Sequence, residues 1–227
     1  MSRTGKPGLT VRSLIRQGEH QQLDFKHSVT DSKKIARTLS AFANTDGGTL
    51  LLGVRDNGSI AGVKSEEEYY MIEAASNIFC RPAIQFRMQT HSIDKRTILE
   101  VNVMKGNNRP YLALDDNGKW LAYVRKNDQN LLANRVILKV WKLNKEEVSI
   151  LVKFRREETE LLKHLREYGS ITLSRFRKKC KISSSAAERI LASFIVLGII
   201  EYNLTEKECR YFPSSNFGDA ETRYFSG

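Results

Sequence analysis

Apolar side chains recur along this chain at helical spacing, in strand alternation and in one almost unbroken run. The run is Thr49–Val54, and its β-compatible composition predicts a strand covered on both faces. Before it, Ile35, Leu39, Phe42 and Ala43 recur at helical spacing and predict a helix over Lys33–Asn44, capped by Asp31 or Ser32. Asn44-Thr45-Asp46-Gly47-Gly48 stops that helix, because adjacent glycines accept the positive φ of a tight reversal. Asp56-Asn57-Gly58 is a hairpin signal, with Ser59–Val63 as the returning strand. Upstream, Val11, Leu14 and Ile15 mark an amphipathic helix over Thr10–Gln17, following a polar stretch at residues 1–8. It leads into a strand, Leu23–Lys26, with Leu23 and Phe25 on one face and Asp24 and Lys26 on the other.

Downstream, Ser65 and Glu68 have capping-box spacing and open a helix through Ile72, Ala75 and Phe79, which Pro82 ends. Ile84–His91 and Thr97–Met104 alternate as two strands around Asp94-Lys95-Arg96. After a loop at 106–110, Tyr111–Leu114 and Trp120–Arg125 form a second hairpin across Asp115-Asp116-Asn117-Gly118. Leu131, Val136, Val140 and Leu143 then predict a closing helix over Asn130–Leu143. Helices mixed with hairpins in this order predict an α+β domain over residues 1–143. A charged linker follows at 144–156. From 157 to 213 the pattern changes to three helices and a hairpin. The helices carry Leu161, Leu162 and Leu165, then Thr172–Cys180, then Ile190, Leu191, Phe194 and Ile195 behind a Ser183 or Ser184 cap. Ile199–Asn203 and Glu208–Phe212 pair over Leu204–Lys207, which completes the outline of a winged helix-turn-helix. Residues 214–227 form a polar tail whose Phe217, Tyr224 and Phe225 are candidates for docking on a partner.

Composition narrows the function classes. The 227 residues hold 37 Lys and Arg against 26 Asp and Glu, a formal charge of +11. That excess favours a polyanionic partner, nucleic acid ahead of an acidic membrane surface. No run of 18 apolar residues predicts a membrane span, and no apolar stretch behind Arg3 and Lys6 predicts a secretory signal. Three cysteines, Cys80, Cys180 and Cys209, are widely separated and odd in number, which fits free thiols in a reducing, cytoplasmic setting. There is no G-x-x-x-x-G-K-[ST] for a P-loop and no G-x-G-x-x-G. His20, His27, His91 and His164 lack zinc spacing and suggest no Ser/His/Asp arrangement.

Two motifs go further. Gly18-Glu19 leading to Asp24-Phe25-Lys26, followed by S-A-F-A-N-T-x-G-G-x-L-L-L-G-V-x-D-N-G-x-I-x-G, resembles the AlbA_2 domain of the Schlafen family. The resemblance covers about the first 140 residues. Its departures are Asp24, where the family usually has Glu, and Asn127-Asp128 after Tyr123-Val124-Arg125, where Gly-Ser is usual. The resemblance implies an AlbA_2-type mixed sheet with helices and a nucleic-acid-related role. Glu19 at a strand entry, Asp24 on the strand and Asp56 on the hairpin turn would gather three carboxylates at one sheet edge. Such a group repels itself unless a divalent cation neutralises it. By analogy with Schlafen ribonucleases, these acids would hold Mg²⁺ or Mn²⁺ for phosphodiester hydrolysis, with Lys26 meeting the scissile phosphate.

The candidate phosphate contacts are Lys33, Lys34, Arg37, Arg55, Arg109, Arg125 and Lys126 in the first domain. In the second they are Arg175, Arg177, Lys178, Lys179 and Arg189, with Lys181 adjoining. Two functions are therefore expected as alternatives. One is a regulatory protein that grips the backbone of DNA or RNA; the other is a metal-dependent endoribonuclease acting on structured RNA such as tRNA. Schlafen cores pair two such lobes, so the single lobe here implies a homodimer.

Overall fold

A computed structural model describes residues 11–63, 66–146 and 155–218. The polar residues 1–8, Ser65 of the expected capping box, most of the expected linker and residues 219–227 lie outside the described residues. Two units are distinguished, Met1–Leu132 and Ala133–Gly227. No helix among the described residues is long and apolar enough to cross a membrane.

The first unit runs α1 (Val11–Gln17), β1 (Leu23–Lys26), α2 (Ser32–Asn44), β2 (Gly48–Leu52), α3 (Glu67–Asn77) and β3 (Cys80–Arg81). It continues with β4 (Phe86–Ile93), β5 (Arg96–Val103), β6 (Leu112–Leu114), β7 (Trp120–Lys126) and β8 (Gln129–Leu132). These strands form two sheets of four, in the orders β1-β2-β5-β4 and β3-β6-β7-β8. Only β1 and β2 pair in parallel; the other pairings are antiparallel. The unit is thus a mixed α+β fold.

Strand β2 is covered on both faces, as its apolar run predicts. Leu50 and Leu52 pack with Ile35, Leu39 and Phe42 of α2, whereas Leu51 packs with Val11, Leu23 and Phe25 on the α1 side. The last nine residues of α2, apart from Arg37, are almost all buried, so this helix lies inside protein on nearly every side. Its polar members are satisfied by distant backbone. Asn44 donates to the carbonyls of Tyr111 (2.8 Å) and Tyr123 (2.9 Å) and accepts from the Tyr111 N–H (2.8 Å). Ser40 donates to the same Tyr111 carbonyl at 2.7 Å, and Thr45 accepts from the Arg125 N–H at 2.9 Å. The S-A-F-A-N-T letters are therefore the joint between α2 and the second sheet. On the side of the first sheet, Gly48 at the start of β2 lets α2 approach closely, because a Cβ there would lie 2.5 Å from the Phe42 ring.

Three expectations for this unit change. Ser59–Val63 is not a returning strand: both edges of β2 are taken by β1 and β5, which leaves only an isolated bridge between Val54 and Ile60. The β4–β5 reversal is a two-residue turn of Asp94 and Lys95, both with positive φ, and Arg96 already pairs with Ile93. The stretch that begins the expected closing helix is instead β8, which turns back on β7 through Asn127-Asp128, with Asn127 at φ 54°.

The second unit runs α4 (Arg135–Lys145), α5 (Arg156–Tyr168), β9 (Ile171–Thr172), α6 (Leu173–Cys180), α7 (Ser184–Val196), β10 (Ile200–Leu204) and β11 (Cys209–Pro213). A three-stranded antiparallel sheet is ordered β10-β11-β9. The helix expected to close the first domain belongs to this core: Val136 and Val140 of α4 pack with Leu161, Leu191 and Phe194. Asn134 caps α4 by accepting from the Ile137 N–H at 3.0 Å. Glu188 of α7 is buried beneath Lys139 (3.5 Å) and Arg135 (3.9 Å) of α4, which adds an ionic tie between the two helices. Phe217, expected in an unattached tail, is buried in this same core.

Truncating Asn44 to Ala should destabilise the protein by about 2–4 kcal/mol, because it strands buried backbone groups. Asn77→Ala at the exposed end of α3 should stay within about 0.5 kcal/mol. Urea denaturation of both variants checks this, and equal stabilities would contradict the assigned role of Asn44.

Candidate functional site

The alternation of β1 sends Leu23 and Phe25 to the α1 core and turns Asp24 to the opposite face. There Asp24 meets Arg125 of β7. The guanidinium Nη2 lies 3.0 Å from Oδ1, and the two side chains are 1% and 3% exposed. Arg125 also donates to the Leu23 carbonyl (3.2 Å) and to Asn130 Oδ1 (3.0 Å), with its guanidinium 5.3 Å from the Phe42 ring centroid. Lys26 places its ammonium 2.9 Å from Asp24 Oδ2 and 2.8 Å from the Phe25 carbonyl. Glu19 caps the outer edge of β1, accepting from the Phe25 N–H at 2.8 Å. Burial, then interaction with Asp24, pushes the Glu19 carboxyl above its ordinary range, against the opposing pull of the Phe25 N–H and Lys26.

Two of the three expected acids are therefore together, and the third is not. Asp56 is exposed in the Arg55–Ser59 turn. No group of three His, Cys, Asp or Glu side chains among the described residues is placed to hold a metal. The two carboxylate oxygens of Asp24 face Arg125 and Lys26, so the charge a divalent cation would neutralise is already neutralised by protein cations. The residues do not fit Mg²⁺ or Mn²⁺. Covalent chemistry through the buried thiol is also disfavoured, since burial pushes Cys80 up to about 12.

The expected phosphate contacts of the first unit divide in the same way. Arg125 is enclosed and cannot reach a ligand. Arg37 and Lys33 lie against Asp116, at 2.8 and 4.0 Å. Lys34, Arg55 and Lys126 are exposed, and Arg109 is half-buried. Lys26 is committed to Asp24. In the second unit Arg175, Arg177, Lys178, Lys179 and Lys181 are all exposed on or just after α6, and Arg189 is exposed on α7. Arg177 donates to Ser184 Oγ at 2.7 Å, and Lys179 lies 3.8 Å from Glu160. Five of these cations fall within the seven residues 175–181.

The family model described as Schlafen, AlbA_2 matches residues 19–134, just over half of the chain. The chain belongs to this family. In this domain the residues of the motifs singled out in the sequence fall into two physical roles. Glu19, Asp24 and Arg125 form the ionic group just described, and Ser40, Asn44 and Thr45 form the joint beside it. A second family model, the PCI domain, matches residues 127–208. Among solved structures, the DIP2311 protein of Corynebacterium diphtheriae is 15% identical with a TM-score of 0.45, over 76% of this chain and 32% of that one. The N-terminal domain of an ATP-dependent DNA helicase RecG-related protein from Nitrosomonas europaea is 17% identical with a TM-score of 0.42. That match covers 66% of this chain and 98% of the other. The chain thus spans about a third of the length of the first of these structures. No curated protein matches the sequence.

The sequence offered no sign of what Gln21 does. It donates to the Arg125 carbonyl and accepts from the Asn127 N–H, both at 2.9 Å, fixing the β7–β8 turn against the entry to β1.

Because the folded state raises the Glu19 pKa, the stability that its protonated form contributes is complete at low pH and lost as pH rises through the folded value. Gln at this position keeps the acceptor and removes the charge. Calorimetry should find Glu19→Gln at least as stable as the parent at about pH 7, the difference closing below about pH 4. A variant less stable than the parent at neutral pH would contradict this assignment.

Proposed function

We propose that this AlbA_2 protein binds the phosphate backbone of nucleic acid and does not cut it. The second unit is read as a winged helix-turn-helix in which α6 is the principal contact. One observation carries the reading: five exposed cations, Arg175, Arg177, Lys178, Lys179 and Lys181, crowd a stretch that contains no acid from Tyr168 to Ala187. A stretch that merely maintains solubility mixes the two signs of charge, whereas this one carries cations alone and meets an acid, Glu160 of α5, only at Lys179. The order helix, short strand, two helices and hairpin supports the winged-helix reading. Membership of the Schlafen, AlbA_2 family agrees with a nucleic-acid-related role.

The contact is electrostatic and largely blind to sequence. Helix α7 offers Arg189 as its one cation, which is too little for a base-reading code of its own. In the first unit, Lys34, Arg55 and Lys126 are available to add backbone contacts. The ribonuclease alternative is not favoured, because Asp24 is held by Arg125 and Lys26 and not presented to a metal.

Fluorescence anisotropy of a labelled duplex over a salt series tests the reading. The slope of log K against log salt should have a magnitude of about 4, and Arg175→Gln with Lys178→Gln should lower it by about 2. tRNA incubated with the protein and Mn²⁺ should stay intact. Salt-independent binding, or cleavage with Mn²⁺ that EDTA and Glu19→Gln abolish, would overturn the proposal.

A further inference from the structure

The first sheet, ordered β1-β2-β5-β4, has two outer strands, and their free edges are finished differently. The edge of β1 is closed by side chains. Glu19 accepts from the Phe25 N–H at 2.8 Å, and Arg125 donates to the Leu23 carbonyl at 3.2 Å. The edge of β4 is open. Because Asp94 and Lys95 form a two-residue turn, Ile93 and Arg96 are a hydrogen-bonded pair, and His91, Gln89 and Arg87 follow in phase with Ile93. The Thr97 carbonyl agrees with that phase, since it accepts from the Val63 N–H at 2.8 Å and not from β4. The N–H and C=O groups of Phe86, Met88, Thr90 and Ser92 therefore face outward. No backbone bond among the described residues takes them up.

An open edge invites pairing, and proteins ordinarily guard it with lysine, proline, a bulge or a short strand. Strand β4 runs for eight residues in unbroken register with β5, without proline, lysine or bulge. Its one permanent cation, Arg87, stands near an end. Its side chains also match a reversed copy of themselves. On the face toward the α2 core, Phe86 and Met88 are large and half-buried, whereas Thr90 and Ser92 are small and exposed.

Laid antiparallel to itself about Gln89, the strand sets Phe86 opposite Ser92 of the second copy and Met88 opposite Thr90. Large then meets small on both sides of the two-fold axis, and all four outward residues fall into hydrogen-bonded pairs. Beside Thr90, a cavity of about 510 Å³ lined by Val63, Tyr69, Tyr70 and Leu99 leaves room for the incoming Met88 side chain. Tyr70 is 63% exposed, an aromatic surface that a thioether covers well. On the opposite face Gln89 meets Gln89, and Arg87 lies opposite the His91–Glu100 pair, whose members are 2.7 Å apart.

We propose that two copies of this chain associate through β4, joining their four-stranded sheets into one continuous sheet. The contact is isologous and small for a specific interface, so monomer and dimer exchange at micromolar concentration. It requires no nucleic acid and stands apart from the proposed contact on α6.

Sedimentation of the full chain, freed of nucleic acid, over a concentration series tests this. The mass should rise from monomer toward dimer. Thr90→Pro removes only an outward N–H, and Thr90→Lys leaves every backbone bond in place. Each should weaken association at least about tenfold. Thermal melts of the dilute Thr90→Lys variant should match the parent, which separates lost pairing from lost folding. Gln89→Cys should link to its own copy on mild oxidation, because a non-hydrogen-bonded antiparallel pair brings the two Cα atoms to about 4.5 Å. Peptide mass spectrometry identifies that link against the native cysteines. A chain that stays monomeric at every concentration overturns the proposal. So does a dimer that neither Thr90 variant weakens, or one in which position 89 fails to link to its copy.

Discussion

A carboxylate and a guanidinium, both enclosed in protein, fix the AlbA_2 unit. Asp24 leaves one sheet and Arg125 the other, and they meet at 3.0 Å beside the carboxyl end of α2. Neither ion would be tolerated there alone, since burying an unpaired charge costs several kcal/mol. The pair therefore demands its surroundings. Asn130 and the Leu23 carbonyl take further guanidinium protons, Lys26 takes the second carboxylate oxygen, and Phe42 lies against the guanidinium. Asn44 and Thr45 sit next in line and pin β7 to the same helix. These contacts tie the register of one sheet to that of the other.

The same pairing shapes what the site can do. A cluster of acids becomes a metal centre only when its charge is left for a metal to neutralise. Here the protein supplies the cations, and Asp56 stays outside in its own turn. The acids at this edge leave no charge for a metal to neutralise, and the proposed contact with a backbone rests instead on α6.

Much of the fold was legible in the sequence because it rests on local pattern. The alternation of Leu23, Asp24 and Phe25, the unbroken Thr49–Val54 run and the caps at Asp31 and Ser183 each express themselves within a few residues. What was not legible depends on partners far away. Asp56-Asn57-Gly58 signals a hairpin by itself, and only the distant β5 shows that the strand edge is already occupied. Leu131 fits the helical spacing of Val136 and Val140, yet Asn127-Asp128 turns it into β8 and Asn134 starts the helix anew. Arg125 read as a phosphate contact because it falls near a strand end, where loops gather at one rim, and nothing nearby in sequence reveals that Asp24, 101 positions away, pairs with it. Glu19 and Asp24 stand together with protein cations beside them, and Asp56 does not join them.

The most direct measurement is a double-mutant cycle between Asp24 and Arg125, using Asp24→Asn, Arg125→Gln and the pair in urea denaturation. Each single change leaves a buried charge or an enclosed polar fork without its partner, and should cost about 3–5 kcal/mol. The double variant should cost clearly less than the sum, giving a coupling of at least about 2 kcal/mol. Strict additivity, or a rise in the melting temperature of the parent protein at low Mn²⁺ concentration, would contradict the account.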